Sequence, residues 1–328
     1  MIQAEHLVKR YGPKTAVDDI SFTIRPGQVT GFLGPNGAGK STTMRMIVGL
    51  DRPSAGHVTV NGSRYAEHKA PLHEVGALLE AKSVHPGRSA YQHLRALGAT
   101  HGIGAKRVEE VITLAGLEPV ARKRVGGFSL GMGQRLGIAA ALLGDPHTVM
   151  LDEPVNGLDP EGVKWVRTLV RHLASEGRTV FLSSHLMSEM ALTADHVIVL
   201  GRGKIIADAP IQELIDRASH GAVTVRSPQA DQLAGLLQQV GATVRSAEAG
   251  VLEVVGRTSE QVGEAAAGAG IVLHQLVTQQ SSLEEAYLQL TADSVEYHSG
   301  PLDGPAQPTG ADASPSGADA PLTGSTAR

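Results

Sequence analysis

The stretch of residues 34–41, Gly-Pro-Asn-Gly-Ala-Gly-Lys-Ser, follows an apolar run and precedes a helix-forming one. Small residues at this spacing let successive backbone N–H groups curl around an anion, and the start of the following helix adds positive potential. Lys40 can then reach the terminal phosphates of a nucleotide, and the Ser41 hydroxyl can ligate Mg²⁺. The pattern therefore predicts a nucleoside triphosphate site, with the nucleotide contacted by Gly34, Pro35, Asn36, Gly37, Ala38, Gly39, Lys40, Ser41 and Thr42.

Two adjacent acids, Asp152 and Glu153, end a second apolar run at residues 149–151. In a protein with a phosphate loop, the first acid of such a pair holds Mg²⁺, directly or through water. The second acid can take a proton from the attacking water as a general base. Acids that merely end a strand are the alternative, but the phosphate loop earlier in the chain favours hydrolysis of the nucleotide.

The composition is that of an ordinary water-soluble chain of about two domains. Its 328 residues include 29 Lys and Arg against 33 Asp and Glu, and no cysteine. The lack of cysteine excludes disulfides and thiol chemistry, and the net charge of -4 argues against a nucleic-acid partner. The N-terminus lacks a signal-peptide pattern, and the longest apolar run is shorter than the about 20 residues of a membrane span. Any membrane role is therefore expected to need a membrane-embedded partner.

Strand-like and helical patterns alternate up to about residue 217, which predicts an α/β domain with a mostly parallel sheet. The predicted strands are 28–33, 75–80, 148–152 and 179–183, with a hairpin over 196–207. The predicted helices are 40–50, 90–101, 105–115, 130–143, 161–175 and 211–217. A further unit reads as strand 222–226, helix 229–240, strands 242–246 and 251–255, helix 259–267 and strand 271–277, followed by a helix over 282–290. The βαββαβ order before that last helix is the ferredoxin-like arrangement.

Further motifs follow the phosphate loop in a fixed order. They are Phe-Ser-Leu-Gly-Met-Gly-Gln-Arg at 128–135, the acid pair, Asn-Gly-Leu-Asp at 156–159, and His185 after an apolar run. This series resembles the ATP-binding subunit of an ABC transporter, with 128–135 similar to the LSGGQ signature in its YSLGM-type variant. The resemblance implies a P-loop NTPase ABC cassette in residues 1–217, with a mixed sheet core, an antiparallel β subdomain and a helical signature subdomain. Residues 218–292 are then expected to form a small α+β accessory domain, and the Pro-, Gly-, Ala- and Ser-rich residues 293–328 a disordered tail.

The resemblance also implies roles for five residues. Tyr11 matches the aromatic that stacks on adenine, although taken alone a tyrosine here is more often a packing residue than a ligand contact. Ser129 and Gly131 match signature residues that grip the γ-phosphate of ATP held by the opposite subunit, while Ser129 can also simply cap its own helix. Asp159 matches the loop that couples the two sites, and His185 matches the switch histidine that contacts the γ-phosphate.

One position departs from the common pattern of the family. Glu80 stands where many members have a glutamine that touches Mg²⁺, and a carboxylate there can still ligate the metal. Glu80 and the signature variant, which has Leu130 in place of glycine, resemble exporter ATPases associated with peptide antibiotics such as bacitracin and lantibiotics. The predicted metal-binding residues are therefore Ser41, Asp152 and Glu80.

The sequence thus predicts an ATP-hydrolysing subunit that powers a separately encoded integral membrane permease at the cytoplasmic side of the membrane. A head-to-tail homodimer or paired cassette would bind ATP and Mg²⁺, and the expected transport is export of an antibiotic, drug or peptide. The alternative is an ABC-type ATPase that acts on ribosomes or DNA, but the chain has one phosphate loop, no heptad run and no basic excess. A P-loop kinase would leave the signature unexplained.

Overall fold

A computed structural model describes residues 1–79, 84–218, 222–278 and 283–291. The strands in these ranges are β1 Ile2–Tyr11, β2 Lys14–Ile24, β3 Val29–Leu33, β4 Ala55–Val60, β5 Val75–Leu78, β6 Thr148–Asp152, β7 Thr179–Ser184, β8 His196–Gly201, β9 Lys204–Pro210, β10 Val223–Arg226, β11 Thr243–Glu248, β12 Val251–Val255 and β13 Gln275–Thr278. The helices are α1 Lys40–Ile47, α2 Pro71–Glu74, α3 Ala90–Ala99, α4 Ala105–Leu114, α5 Leu130–Ala141, α6 Pro160–Ser175, α7 Met187–Thr193, α8 Ile211–Ala218, α9 Ala230–Gln239, α10 Ser259–Gly268 and α11 Leu283–Thr291.

A six-stranded sheet in the order β5-β6-β7-β3-β8-β9 forms the centre of the cassette. All neighbours are parallel except β8 and β9, which form the predicted antiparallel hairpin. The register pairs Asp152 with Ser183 and Leu33 with Ser184, so that the carboxyl ends of β3, β6 and β7 share one edge. This edge is where ligands bind in open α/β sheets, and it brings together the phosphate loop, the acid pair and His185.

A three-stranded antiparallel sheet, β2-β1-β4, packs against the central sheet and confirms the expected β subdomain. Phe22 of β2 lies with its ring centroid 6.0 Å from that of Phe32, which in turn lies 5.0 Å from that of Phe181. Burial of these rings joins the two sheets into one apolar core.

Helices α3, α4 and α5 pack against one another and form the predicted helical subdomain. Their buried side chains, including Leu94, Val111 and Leu136, continue into the core under the central sheet. The predicted helix over 40–50 is three residues too long, because Gly49 adopts a left-handed φ of 70° that ends α1. Within the described ranges, no helix is both long and apolar enough to cross a membrane.

The second unit, residues 222–278, has the predicted βαββαβ order and the sheet order β11-β12-β10-β13, antiparallel throughout. Its core is formed by α9 and α10 against the sheet. The predicted strand over 271–277 is wrong at its start, because the Ile271 N–H bonds to the Ala266 carbonyl at the end of α10, and β13 begins only at Gln275. We call residues 222–278 the ferredoxin-like unit.

Helix α11 follows the ferredoxin-like unit but buries its side chains in the cassette. Leu283 belongs to the core beneath the central sheet, together with Leu214 of α8, and Tyr287 packs against that core. α11 packs on both α7 and α8. The chain therefore leaves the cassette through α8 and returns to it through α11. The predicted boundary at residue 292 stays a prediction, since residues 292–328 lie outside the described ranges.

Candidate functional site

The phosphate loop, residues 34–41, has the curled backbone that anion binding needs. Gly39 has a φ of 106°, and a Cβ at this position would lie 2.5 Å from the carbonyl oxygen of Ala16. No side chain in the described part of the molecule caps α1, which begins at this glycine. The first N–H groups of α1 are therefore available to phosphate oxygens, with Ser41 exposed beside them.

The Lys40 side chain folds back into this loop and is only 7% exposed. Its Nζ donates to the carbonyl oxygen of Gly34 at 2.6 Å and to that of Pro35 at 3.4 Å. Burial lowers the pKa of Lys40, while the nearby carboxylates of Glu153 and Asp152 act to raise it. The structure thus brings the predicted phosphate-binding lysine and the predicted acid pair into electrostatic contact.

Asp152 and Glu153 are both held by Ser183, a residue to which the sequence analysis gave no role. The Ser183 side chain is fully buried, and its hydroxyl donates to Oδ1 of Asp152. The same hydroxyl oxygen accepts the backbone N–H of Glu153 at 3.0 Å. Ser183 was detectable only through the strand register, which places it opposite Asp152.

Glu153 contacts His185 directly, so the two predicted catalytic residues lie together. Nδ1 of His185 is 2.8 Å from Oε2 of Glu153. The Glu153 backbone has a φ of 50°, a left-handed conformation that costs a non-glycine residue about 1–2 kcal/mol. This conformation turns the side chain off the end of β6 towards the turn that follows β7.

Gln134 of α5 is a second residue without a predicted role, although it belongs to the signature motif. Its side chain is 4% exposed, and its Nε2 donates to the carbonyl oxygen of Glu153 at 3.1 Å. The Asn156 N–H donates to the same oxygen at 3.2 Å. The signature helix is thereby joined to the acid pair by a partly buried hydrogen bond.

Ser129, Gly131 and Asp159 lie at the starts of two helices. Ser129 caps α5 by accepting the Met132 N–H at 3.2 Å, and Asp159 caps α6 by accepting the Gly162 N–H at 3.0 Å. A Cβ on Gly131 would approach the Gly157 carbonyl oxygen to 3.0 Å. Among the described residues, no hydrogen bond or ion pair links Ser129 or Gly131 to the phosphate loop.

Tyr11 lies at the end of β1, with its side chain about half exposed. Its hydroxyl donates to Oδ2 of Asp51 at 3.0 Å, and Nζ of Lys9 lies 4.9 Å from the ring centroid. Burial raises the pKa of Tyr11, while a side-chain hydrogen bond with Thr42 acts to lower it, so the Tyr11 hydroxyl lies beside the start of α1. An aromatic ring at this place could contact the nucleobase of a nucleotide whose phosphates are bound by the loop.

The donor set at the end of β6 suits a magnesium ion. Mg²⁺ prefers oxygen ligands and is usually bound by one or two carboxylates together with waters and substrate phosphates. The Ser41 hydroxyl and the Asp152 carboxylate could hold such an ion. Glu80, the third predicted ligand, lies outside the described residues.

A phosphate loop between a buried parallel strand and a helix, with an acid pair on a nearby strand, defines a P-loop nucleoside triphosphatase. The ABC transporter family model matches residues 17–156, and a family model described as a domain of unknown function, DUF8746, matches residues 221–284. The chain belongs to the family of ABC transporter ATP-binding proteins and is an ATP hydrolase of that family.

Two relatives and one solved structure illustrate this similarity. The bacitracin transport ATP-binding protein BcrA of Bacillus licheniformis is 40% identical over 220 residues, covering 66% of this chain and 72% of BcrA. The ABC transporter ATP-binding protein YdbJ of Bacillus subtilis (strain 168) is 32% identical over 294 residues, or 89% of this chain and 95% of YdbJ. The dimeric structure of MJ0796, a bacterial ABC transporter cassette, is 24% identical with a TM-score of 0.60, covers 64% of this chain and 98% of that one, and shows the fold.

Proposed function

We propose that this chain is the MgATP-hydrolysing subunit of a membrane exporter of peptide antibiotics, with Glu153 as the general base. The contact between Glu153 and His185, beside the lysine of the phosphate loop, is the observation that carries this proposal. It supports the presence of a proton acceptor and a second polar group at the edge of the sheet where the γ-phosphate would lie.

Binding of ATP would exchange one set of contacts around Lys40 for another. The lysine ammonium now bonds to loop carbonyl oxygens, and phosphate oxygens offer it stronger, charge-assisted partners. The N–H groups at the start of α1 would bind the same phosphates. Ser41 and Asp152 would hold Mg²⁺, which would supply positive charge to neutralise the phosphates.

Glu153 and His185 have different roles in hydrolysis. The His185 ring holds Oε2 of Glu153, which leaves Oε1 to accept a proton from the attacking water. Ser183 fixes the Glu153 N–H and thereby the start of the side chain. The other ring nitrogen of the exposed His185, Nε2, would then contact the γ-phosphate or the attacking water.

A second copy of the cassette would complete each site. Ser129 and Gly131 stand at the N-terminus of α5, where a hydroxyl and N–H groups suit an anion, yet they make no polar link to the phosphate loop of their own chain within the described residues. MJ0796 forms a dimer of the same fold. A head-to-tail dimer would place Ser129 and Gly131 on the nucleotide of the partner. Asp159 would then lie beside the interface between the two subunits.

The proposed cargo and partner rest on the relatives. BcrA is named for bacitracin transport, and it is similar over the cassette of this chain. We therefore expect an integral membrane permease as the binding partner, which would hold this subunit at the cytoplasmic face, and a peptide antibiotic as the exported substrate.

The test begins with Glu153→Gln, which keeps the shape of the side chain but removes the base. The variant should bind ATP and dimerise, while its turnover falls by roughly 10²–10⁴-fold. Normal turnover would refute the role of Glu153. Affinity purification from detergent-solubilised membranes should recover a multi-span protein, whereas recovery of ribosomes or DNA would contradict the transport role.

A further inference from the structure

The carbonyl oxygen of Glu153 is a junction between three parts of the cassette. It belongs to the end of β6 and accepts Nε2 of Gln134 from α5 and the N–H of Asn156 from the following loop. Gln134 is almost fully buried, and a buried amide without a partner would be costly. This hydrogen bond is therefore a defined structural link and not a chance surface contact.

The orientation of Glu153 depends on links of this kind. Its left-handed φ of 50° is unfavourable for a side-chain-bearing residue and persists only where the surroundings fix the peptide groups on both sides. Ser183 fixes the N–H of this residue, and Gln134 with Asn156 fixes its carbonyl. Loss of the Gln134 bond would release one of these restraints and let the carboxylate turn away from His185.

The first turn of α5 touches the same loop a second time. A Cβ on Gly131 would lie 3.0 Å from the Gly157 carbonyl oxygen, and one on Gly157 would lie 2.2 Å from Cδ2 of Leu130. Contacts this close leave no room for α5 to slide over the loop. A displacement of the α5 N-terminus must therefore move the loop and the Glu153 carbonyl together.

We propose that Gln134 is a positioning residue that ties the direction of the Glu153 carboxylate to the position of α5. The inference rests on the proposed function, in which Ser129 and Gly131 contact the nucleotide held by the second subunit. Closure on that nucleotide displaces α5, and Gln134 transmits the displacement to the base that acts on the nucleotide of its own subunit. ATP at one site thereby sets the geometry of the base at the other.

Gln134→Met tests the link, because methionine keeps the length and approximate volume of the side chain but cannot donate a hydrogen bond. Gln134→Leu provides a second variant without a donor. The control is Gln212→Met, the same substitution at an exposed residue of α8 that bonds to Asp216. Each variant is made in the full chain and in the Glu153→Gln background, and its thermal unfolding is recorded.

We expect Gln134→Met to lower kcat about tenfold or more while ATP affinity is kept, since small misplacements of a catalytic group are expensive. The Hill coefficient for ATP should fall towards one. ATP-driven dimerisation in the Glu153→Gln background should be unchanged, whereas Ser129→Ala should weaken it. Gln212→Met should resemble the parent chain in kcat, ATP affinity, Hill coefficient and dimerisation.

At least one of the two Gln134 variants must fold for the test. The proposal is overturned if that variant keeps the kcat and the Hill coefficient of the parent chain. A loss of dimerisation as large as that of Ser129→Ala would also overturn it, because Gln134 would then contact the nucleotide itself. If the wild-type chain does not hydrolyse ATP, or Glu153→Gln does not dimerise, the proposed function fails instead, and the two failures are distinguishable.

Discussion

The guanidinium group of Arg167 lies 2.7 Å from Oε2 of Glu189, and this ion pair connects α6 to α7. α6 begins directly after Asp159, and α7 begins just after His185. Arg171, one turn further along α6, donates to the Leu192 carbonyl oxygen of α7 at 3.2 Å. The two helices that support the Asp159 loop and the His185 turn are thus joined at two points.

Arg167→Ala should lower the free energy of unfolding by about 1–3 kcal/mol, because the largely buried Glu189 carboxylate loses a charged partner. Chemical denaturation of Arg167→Ala, Glu189→Ala and the double variant would measure the coupling, which we expect to be about 1 kcal/mol. Additive effects of the two single substitutions would contradict the link. Arg171→Ala is the control and should cost less, because it leaves no carboxylate without a partner.

Lys40→Met should raise the unfolding temperature of the ATP-free protein near pH 7. Burial lowers the folded-state pKa of Lys40 below its value in the unfolded chain, so the charged ammonium costs stability at neutral pH. This cost disappears as the pH rises through the lowered pKa towards the ordinary lysine value, and the difference from wild type should shrink near about pH 10. Thermal unfolding of Lys40→Met and of the wild type near pH 7 and at about pH 10 measures this difference in unfolding temperature. Added ATP should stabilise only the wild-type protein.

Asp145→Asn should reduce stability near pH 7 by a few tenths of a kcal/mol, because the carboxylate is largely exposed. Oδ1 of Asp145 lies 2.8 Å from Arg178 Nη1, and this hydrogen bond lowers the pKa of Asp145. A lowered carboxyl pKa contributes stability above the unfolded value of 3.8 that is lost as the pH falls through the folded value. The variant and the wild type should therefore converge in strong acid. A constant difference from pH 7 to about pH 2 would show that the charge is not responsible.

Gly39→Ala should abolish ATP binding and destabilise the protein by more than about 1 kcal/mol. The backbone φ of 106° disfavours any side chain, and the new Cβ would meet the Ala16 carbonyl oxygen. Gly133→Ala is the matched control, since its Cβ would have no neighbour within 4 Å and α5 should gain stability from alanine. ATP binding and denaturation of both variants would check the contrast. Equal effects of the two substitutions on ATP binding and stability would show that the backbone conformation at Gly39 is not what ATP binding requires.

The sequence predicted the parts of the site that lie within single motifs. The phosphate loop, the acid pair and His185 each follow an apolar strand, so local spacing was enough to place them at the same edge of a parallel sheet. Ser183 and Gln134 could not be predicted in this way. The contact of Ser183 with Asp152 depends on strand register, and that of Gln134 depends on how α5 packs over the end of β6.

The same distinction applies to the fold. The alternation of strands and helices predicted the central sheet and the ferredoxin-like unit, because each element carries its own periodicity. The position of α11 does not follow from its periodicity, since an amphipathic helix can bury its apolar face on either unit. Its packing on α7 and α8 is set by tertiary contacts between residues far apart in sequence.

The return of the chain through α11 has a consequence for synthesis. Leu283 completes a core to which Leu214 also belongs, yet the whole ferredoxin-like unit is translated between these two residues. Domains generally fold as they leave the ribosome, starting from the N-terminal side. Here the apolar face of α7 and α8 must remain uncovered until the ferredoxin-like unit and α11 have left the ribosome. A pause in translation within residues 222–278 would prolong exposure of that apolar face to chaperones and to aggregation.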